Sequence, residues 1–471
     1  MKKTLLSFLT MVLVCCFAFA QSFTEKNIDT MIGDEGSDIA SGDLDGDGDI
    51  DLVVSTYFFN GNMPTQDYIK WYKNDGNGNF SVETDVSSTI TWVEGLATAN
   101  IDGLFGDDII ATSVSQNKLV YFLSNGSGFG PEVVVDPSIT GPGEVATGDI
   151  NQDGHIDLVA ASFSNNRTQW YSGDGAGGFT SETDIENGTT DGPYYIDLAD
   201  FDGDTDLDVL VGFVNSQSIE IYYNQFIESG STSVSWIKDT VTVDSGNSFL
   251  FGAIFADVNN DGAMDVVKVD FTSGNVAWFN KVKNGTSTSN VINNSSIIGN
   301  PGSVLVADID NDTFNDVIVT DGGVVDDAIV WFKGADNDNP SSTATFITNN
   351  NHILYDITAA DFDDDTDLDL ATVGNASDTV QWYENDFITL SVNEVIIDQL
   401  SIYPNPTKDI LNFKGELSET MTISVYDNMG KEILTSIIDS NHNTLDVSKL
   451  SSGMYIIKFE GYDANFKFMK L

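Results

Sequence analysis

The chain has 471 residues, 73 of them acidic and 19 basic, for a formal net charge of -54. Hydrophobic residues make up 41% and aromatics 11%, enough for a core and too many for a disordered chain. A surface so negative excludes nucleic acid and anionic membranes as partners and calls for counter-charge, which bound divalent cations would supply.

The chain opens with Lys2 and Lys3, an apolar stretch from Leu5 to Phe19, and Ala18-Phe19-Ala20 before Gln21. This pattern reads as a secretory signal peptide over 1–20. The alternative is a lipoprotein signal acylated at Cys16, although Cys15 stands where a small residue is expected. Both cysteines fall in this segment, so the mature chain is expected to lack disulfides. No other run is apolar over 18 residues, and no transmembrane segment is expected.

From Asp43 onward an Asp-rich nonapeptide recurs at intervals of about 50 residues. Its copies start at Asp43, Asn100, Asp149, Asp200, Asp257, Asp308 and Asp361. Each copy follows a stretch with small residues, such as Asp38-Ile-Ala-Ser-Gly42, and precedes a β-rich run, such as Leu52-Val-Val. An aromatic strand comes next, anchored by Trp71-Tyr72, Tyr121-Phe122, Trp170-Tyr171, Tyr222-Tyr223, Trp278-Phe279, Trp331-Phe332 and Trp382-Tyr383. Several copies end in a Gly/Asn turn and a last strand, as in Gly76-Asn-Gly-Asn-Phe80. Four short strands per repeat cannot bury both sheet faces alone; packed radially against like neighbours they can. The pattern predicts an all-β chain, a seven-bladed β-propeller over 21–387, with a stacked β-solenoid as the alternative. Ser22-Phe23-Thr-Glu-Lys-Asn-Ile28 resembles the last strands of repeats one and three, while repeat seven lacks such a strand. The N-terminal segment is therefore expected to complete blade seven and close the ring.

Within each nonapeptide, side-chain oxygens at positions 1, 3, 5 and 9 and a backbone carbonyl at 7 can converge on one cation, and glycine at 6 permits the sharp turn. Oxygen-only, high-coordination ligation is what Ca2+ prefers. Carboxylates 4 Å apart repel by about 1–4 kcal/mol near a surface, so such clusters call for a cation. The candidate ligands are Asp43, Asp45, Asp47 and Asp51 in loop one; Asp149, Asn151, Asp153 and Asp157 in loop three; Asp200, Asp202, Asp204 and Asp208 in loop four. They continue with Asp257, Asn259, Asp261 and Asp265 in loop five; Asp308, Asp310, Asp312 and Asp316 in loop six; Asp361, Asp363, Asp365 and Asp369 in loop seven. Up to six calcium sites result. Loops four, six and seven carry Thr205, Thr313 and Thr366 in place of the turn glycine, so they either turn differently or bind more weakly. Loop two keeps Asn100 and Asp102 but has Leu104 and Phe105 at positions 5 and 6, and is expected to be metal-free.

On these motifs the stretch from 21 to 387 resembles the FG-GAP/VCBS repeat family. The resemblance implies a calcium-binding propeller like the head of integrin α-subunits, and a common role in extracellular adhesion or carbohydrate binding. After a linker over 388–398 the character changes. Ile402-Tyr403-Pro404-Asn405-Pro406, Val425-Tyr426-Asp427 with Gly430-Lys431, and Leu445-Asp446 through Gly453-Met-Tyr455 resemble the C-terminal sorting domain of type IX secretion cargo over 399–471. That implies a small β-sandwich, the type IX machinery as a partner, and a location outside the outer membrane of a Gram-negative cell, secreted or on its surface. A small β-sandwich binding module is the alternative.

No catalytic set stands out. The three histidines (His155, His352 and His442) are scattered, no Gly-x-Ser-x-Gly elbow exists, and Arg167 is the single arginine. So few cations disfavour a polyanionic substrate. Two readings remain: a binding or adhesion module for an extracellular glycan or protein, and an exported polysaccharide-degrading lyase or hydrolase using one propeller face. Trp92 and Trp236 lie outside the aromatic-strand positions and are the candidate ligand contacts, with blade packing as their alternative role.

Overall fold

The computed structural model describes residues 21–32, 35–57, 67–187, 190–227, 230, 233–239, 249–280, 288–294, 297–322, 328–335, 340–341, 343–348, 354–374, 378–386, 401–414, 421–427, 431–439, 442–459 and 465–471. The expected signal peptide, the linker and His352 lie outside the described residues. Every regular element among those described is a β-strand. The chain divides into two compact units, residues 20–387 and the C-terminal residues 388–471.

In the first unit the strands form seven antiparallel sheets, six of them meanders of consecutive strands. The first strands of the sheets are Glu35–Gly42, Val93–Ala99, Pro142–Gly148, Pro193–Ala199, Leu250–Ala256, Pro301–Ala307 and Leu354–Ala360. Each packs beside the next, and the last packs beside the first, so the cycle closes. Seven sheets in a closed cycle are those expected of a seven-bladed β-propeller. The second strand of every blade begins at position 9 of its loop and is buried along its described length, as in Asp157–Ser162 and Asp208–Phe213. A strand covered on both faces by neighbouring blades reads as a continuous apolar run, which accounts for Leu52-Val-Val and Val209-Leu-Val. The aromatic third strands fill the space between blades: Tyr72, Trp382 and Phe362 share one core across blades one and seven. Gly78 lies so close to Trp382 that a β-carbon there would sit 2.3 Å from the indole, and its φ of 66° suits glycine.

Blade seven draws its fourth strand from the other end of the chain. Phe23–Asp29 pairs antiparallel with Val380–Asn385, Phe23 opposite Asn385 and Lys26 opposite Trp382. The ammonium of Lys26 lies 4.5 Å from the Trp382 ring centroid and 2.8 Å from Glu384. The expected closing strand is therefore found, in register with the strand it was expected to complete. In the second unit, a three-stranded and a four-stranded sheet share one core that includes Phe413, Val425, Ile457 and Phe468.

One interaction repeats through the whole ring. The aspartate at position 9 is fully buried in all seven loops: Asp51, Asp108, Asp157, Asp208, Asp265, Asp316 and Asp369. One of its oxygens accepts the N–H at position 2 of its own loop, at distances from 2.9 Å (Ile101 to Asp108) to 3.3 Å (Val258 to Asp265). Among the described residues, in six blades the other oxygen accepts an N–H at the end of the third strand, as from Asn74 to Asp51 at 2.8 Å and from Asn385 to Asp369 at 2.7 Å. Four of those residues reach on to the preceding blade, where their side chains donate to the position 2 carbonyl: Asn74 to Phe362 at 2.7 Å, Ser124 to Leu44 at 2.6 Å, Asn224 to Ile150 and Asn385 to Ile309 at 2.9 Å. The carboxylate thus ties loop, strand and neighbouring blade together. Asp108 does so in a loop without a full ligand set, which separates bracing from metal binding. Asp108→Ala leaves two buried N–H groups without acceptors and is expected to lower the unfolding free energy by about 2–4 kcal/mol. Urea titration with excess chelator present checks this, because a metal effect is then absent.

Candidate functional site

Six of the loops, all but loop two, share one turn. The position 1 carboxylate accepts the N–H groups at positions 5 and 6, as Asp43 does from Asp47 and Gly48 at 3.1 Å and Asp361 from Asp365 and Thr366 at 3.1 and 3.0 Å. Thr205, Thr313 and Thr366 adopt φ of 84°, 76° and 80°, beside 99°, 87° and 82° for Gly48, Gly154 and Gly262. The threonine loops therefore turn as the glycine loops do. A β-branched residue is strained at positive φ, so six near-identical turns at three strained positions mean that the loop imposes the conformation.

Four loops gather carboxylates within reach of one ion. Asp43, Asp45 and Asp47; Asp200, Asp202 and Asp208; Asp308, Asp310 and Asp316; and Asp361, Asp363 and Asp365 each place three oxygens within 4.8 Å of one another. Within them, Asp45 Oδ1, Asp310 Oδ1 and Asp363 Oδ1 are buried without a hydrogen-bond donor. Buried anionic oxygens with no donor, crowded by like charges, fit a hard divalent cation. Loops three and five use Asn151 and Asn259 at position 3, whose side-chain oxygens accept the N–H groups of Asp153 and Asp261 at 2.9 and 3.1 Å. Among the described residues loop two forms no such group; Leu104 and Phe105 are exposed there. Position 9 has two roles that its spacing alone did not separate. Every copy braces the backbone, and only Asp208 and Asp316 also lie in a carboxylate group. Burial pushes these carboxyls up, to about 7 for Asp51, about 6 for Asp316 and about 8 for Asp208.

A second site lies where the first strands of the blades meet. A cavity of about 390 Å³ is lined by Asp38, Glu94, Glu144 and Asp356 and by aromatic side chains that include Tyr194, Tyr195, Phe251 and Tyr355. No Lys, Arg or His lines it among the described residues. The aromatic rings contact one another, Tyr194 with Tyr195 at 5.1 Å and Phe251 with Tyr355 at 5.5 Å between centroids. Strand backbone holds the acids: Ile39 N–H lies 2.8 Å from Asp38 and 3.2 Å from Asp356, and Ile196 N–H donates to Glu144 at 2.9 Å. Burial, then the neighbouring Asp356, raises Asp38 well above the usual carboxylate range, and burial takes Glu144 up to about 8. Burial and Glu94 also raise Tyr194, so its hydroxyl stays a donor rather than a base. These acids were missed in the sequence, though a signal was there: an acidic residue recurs shortly before loops one, two, three, four and seven, in what read as a small-residue stretch.

The two candidate tryptophans part company. Trp236 opens the outer strand of blade four and packs against the core between blades three and four, its indole N–H buried without an acceptor. Trp92 is half-exposed at φ 52°, and its indole N–H donates to Glu94 on the cavity wall. His155 is exposed on loop three, and His442 pairs with Asp439 at 3.0 Å.

Glu144 gives the cavity a pH signature. Its carboxyl is raised from 4.5 to about 8 when folded, so the folded chain holds the proton more tightly than the unfolded chain. Its contribution is fully present below the unfolded value and fades as pH rises through about 8. Glu144→Gln mimics the protonated form. It is expected to raise the melting temperature at pH 8 and leave it unchanged at pH 4, as pH-dependent thermal melts of both chains check.

Comparison with known proteins follows the same division. An FG-GAP-like repeat model matches residues 149–211 and 257–319, and a secretion system C-terminal sorting domain model matches 401–470. No curated protein matches the chain. A chain from the crystal structure of BBS1N in complex with ARL6DN, soaked with mercury, is similar at TM-score 0.52 and 10% identity, over 77% of this chain and 97% of that one. A protein from Lactobacillus plantarum is similar at TM-score 0.47 and 12% identity, over 84% of this chain and 98% of its own. At such identities the likeness is one of fold alone. The chain carries FG-GAP-like repeats on a β-propeller fold and a sorting domain of the type IX secretion system, which directs export to the cell surface or beyond.

Proposed function

We propose that this exported propeller is a calcium-stabilised binding module for an extracellular glycan or protein, and that the central cavity receives the ligand. One observation carries the reading: an aromatic-walled cavity with carboxylate acceptors and no cationic side chain among its lining residues. Aromatic faces offer apolar contact, and carboxylates accept hydrogen bonds from hydroxyl or amine groups. A neutral or amine-bearing sugar meets both requirements, whereas a polyanion meets only repulsion. Its volume, about 390 Å³, suits a mono- or disaccharide unit or one protein side chain.

Calcium belongs to the scaffold in this reading. The aspartates of the loops, such as Asp361, Asp363 and Asp365, would hold it, and it would neutralise like charges that the fold brings together. Calcium at ten times its Kd would add about 1.4 kcal/mol per site. Chelation is therefore expected to lower the melting temperature by many degrees, and restoring calcium to recover it; a melt unchanged by EDTA would remove calcium from the proposal.

For the ligand, a glycan array probed with the full chain in calcium is expected to retain neutral or amino sugars and reject uronates. Phe251→Ala is expected to weaken binding at least tenfold with the calcium-dependent melt unchanged. Binding that survives this change would move the ligand away from the cavity. A second reading, hydrolysis of a neutral polysaccharide, draws on one observation: a raised Glu144 stands among carboxylates of other blades, and a protonated acid beside an ionised one is the pair that glycoside cleavage uses. Product release abolished by Glu144→Gln would favour it.

A further inference from the structure

The third strand carries, one residue past its pairing with the second residue of the second strand, a position that differs from blade to blade and in several blades reaches the loop. Strand register makes the positions equivalent: Leu52 pairs with Tyr72, Ile109 with Phe122, Leu158 with Tyr171, Val209 with Tyr222, Val266 with Phe279, Val317 with Phe332 and Leu370 with Tyr383. The next residues are Lys73, Leu123, Ser172, Tyr223, Asn280, Lys333 and Glu384. In two blades this residue is a lysine, and both lysines enter the carboxylate group. Lys73 Nζ bonds Asp45 and lies 2.8 Å from Asp47 Oδ2; Lys333 Nζ bonds Asp310 and lies 2.8 Å from Asp312 Oδ2. The same two positions, 3 and 5, are engaged in both loops. Loop three meets a neutral group instead, Asn151 bonding Ser172 at 3.2 Å. Loop seven meets Glu384, a further carboxylate, itself held by Lys26 at 2.8 Å.

We propose that Lys73 and Lys333 are tethered cations that take the place of calcium in loops one and six. An ammonium seated between the position 3 and position 5 carboxylates occupies the wedge a metal ion would need, and it repels a divalent ion with twice the energy of a unit charge at that distance. Its attachment to the third strand keeps it at high local concentration, so free calcium competes at a disadvantage. The charge at positions 3 and 5 of loops one and six is then partly balanced without metal, and tight sites remain in loops three, four, five and seven. Loop one, the most complete by sequence, becomes one of the two that need no calcium.

This rests on the calcium reading above, and the test separates the two. Calcium bound per chain is counted by elemental analysis after gel filtration, and affinities by calorimetry, on the full chain. Four tight sites are expected. Lys73→Met and Lys333→Met are each expected to give five and the double variant six, the new sites at least tenfold tighter than any binding at those loops in the parent. Lys73→Arg keeps the charge and is expected to stay at four. In EDTA the double variant is expected to melt below the parent, since its loops then have neither ion nor ammonium, and that readout stands if one variant is poorly folded. Six sites in the parent, or four in the double variant, would overturn the lysine assignment alone. No calcium in either chain would overturn the calcium reading with it.

Discussion

The ring depends on a buried carboxylate at the start of the second strand of each blade. It is an acidic group in a place where charge is costly, and it persists because backbone N–H groups surround it. By holding the loop's position 2 and the end of the third strand, it fixes where the loop leaves the sheet. The other acidic positions then take their places as a consequence. Position 1 gathers the N–H groups of the turn, and position 3 is left pointing inward with an oxygen that has no donor in three loops. Negative charge therefore has two fates in each repeat: one carboxylate satisfied by backbone, the others left for a cation.

This division explains why the fold was legible in the sequence while the site was legible only in outline. Seven nonapeptides in register, each followed by an aromatic pair, announce a repeated four-stranded unit, and Phe23 to Ile28 supply the strand that blade seven lacks. The sorting tail was equally plain in Tyr403-Pro404-Asn405-Pro406 and its sequel. Spacing could not say that Asp51 and its six counterparts serve the backbone, because bracing and ligation require the same residue. It could not place Lys73 beside Asp45 either, since strand pairing across the blade brings residues 28 positions apart together. The threonines show the converse limit. Local preference argued for a different turn, and the hydrogen bonds of position 1 overrode it.

The cavity was hidden for a different reason. Asp38, Glu94, Glu144 and Asp356 come from four blades, and they meet only because the ring closes. No local window holds more than one of them. A radial fold gathers at its axis residues that look ordinary in their own repeats, while the conspicuous motif sits in the loops.

The closing strand also changes what flanks the last strand of the propeller. In blade seven the strand Val380–Asn385 is paired on one side with Asp369–Gly374 and on the other with Phe23–Asp29. In the sequence the sorting domain follows this strand. A pull applied from the C-terminal side would therefore reach a strand with a hydrogen-bonded ladder on each flank, and both would have to give way together. Had the ring closed with its own last strand outermost, the same pull would have unzipped a single ladder from an edge. Borrowing the first strand for the last blade turns the exit point of the chain from a place that peels into one that resists.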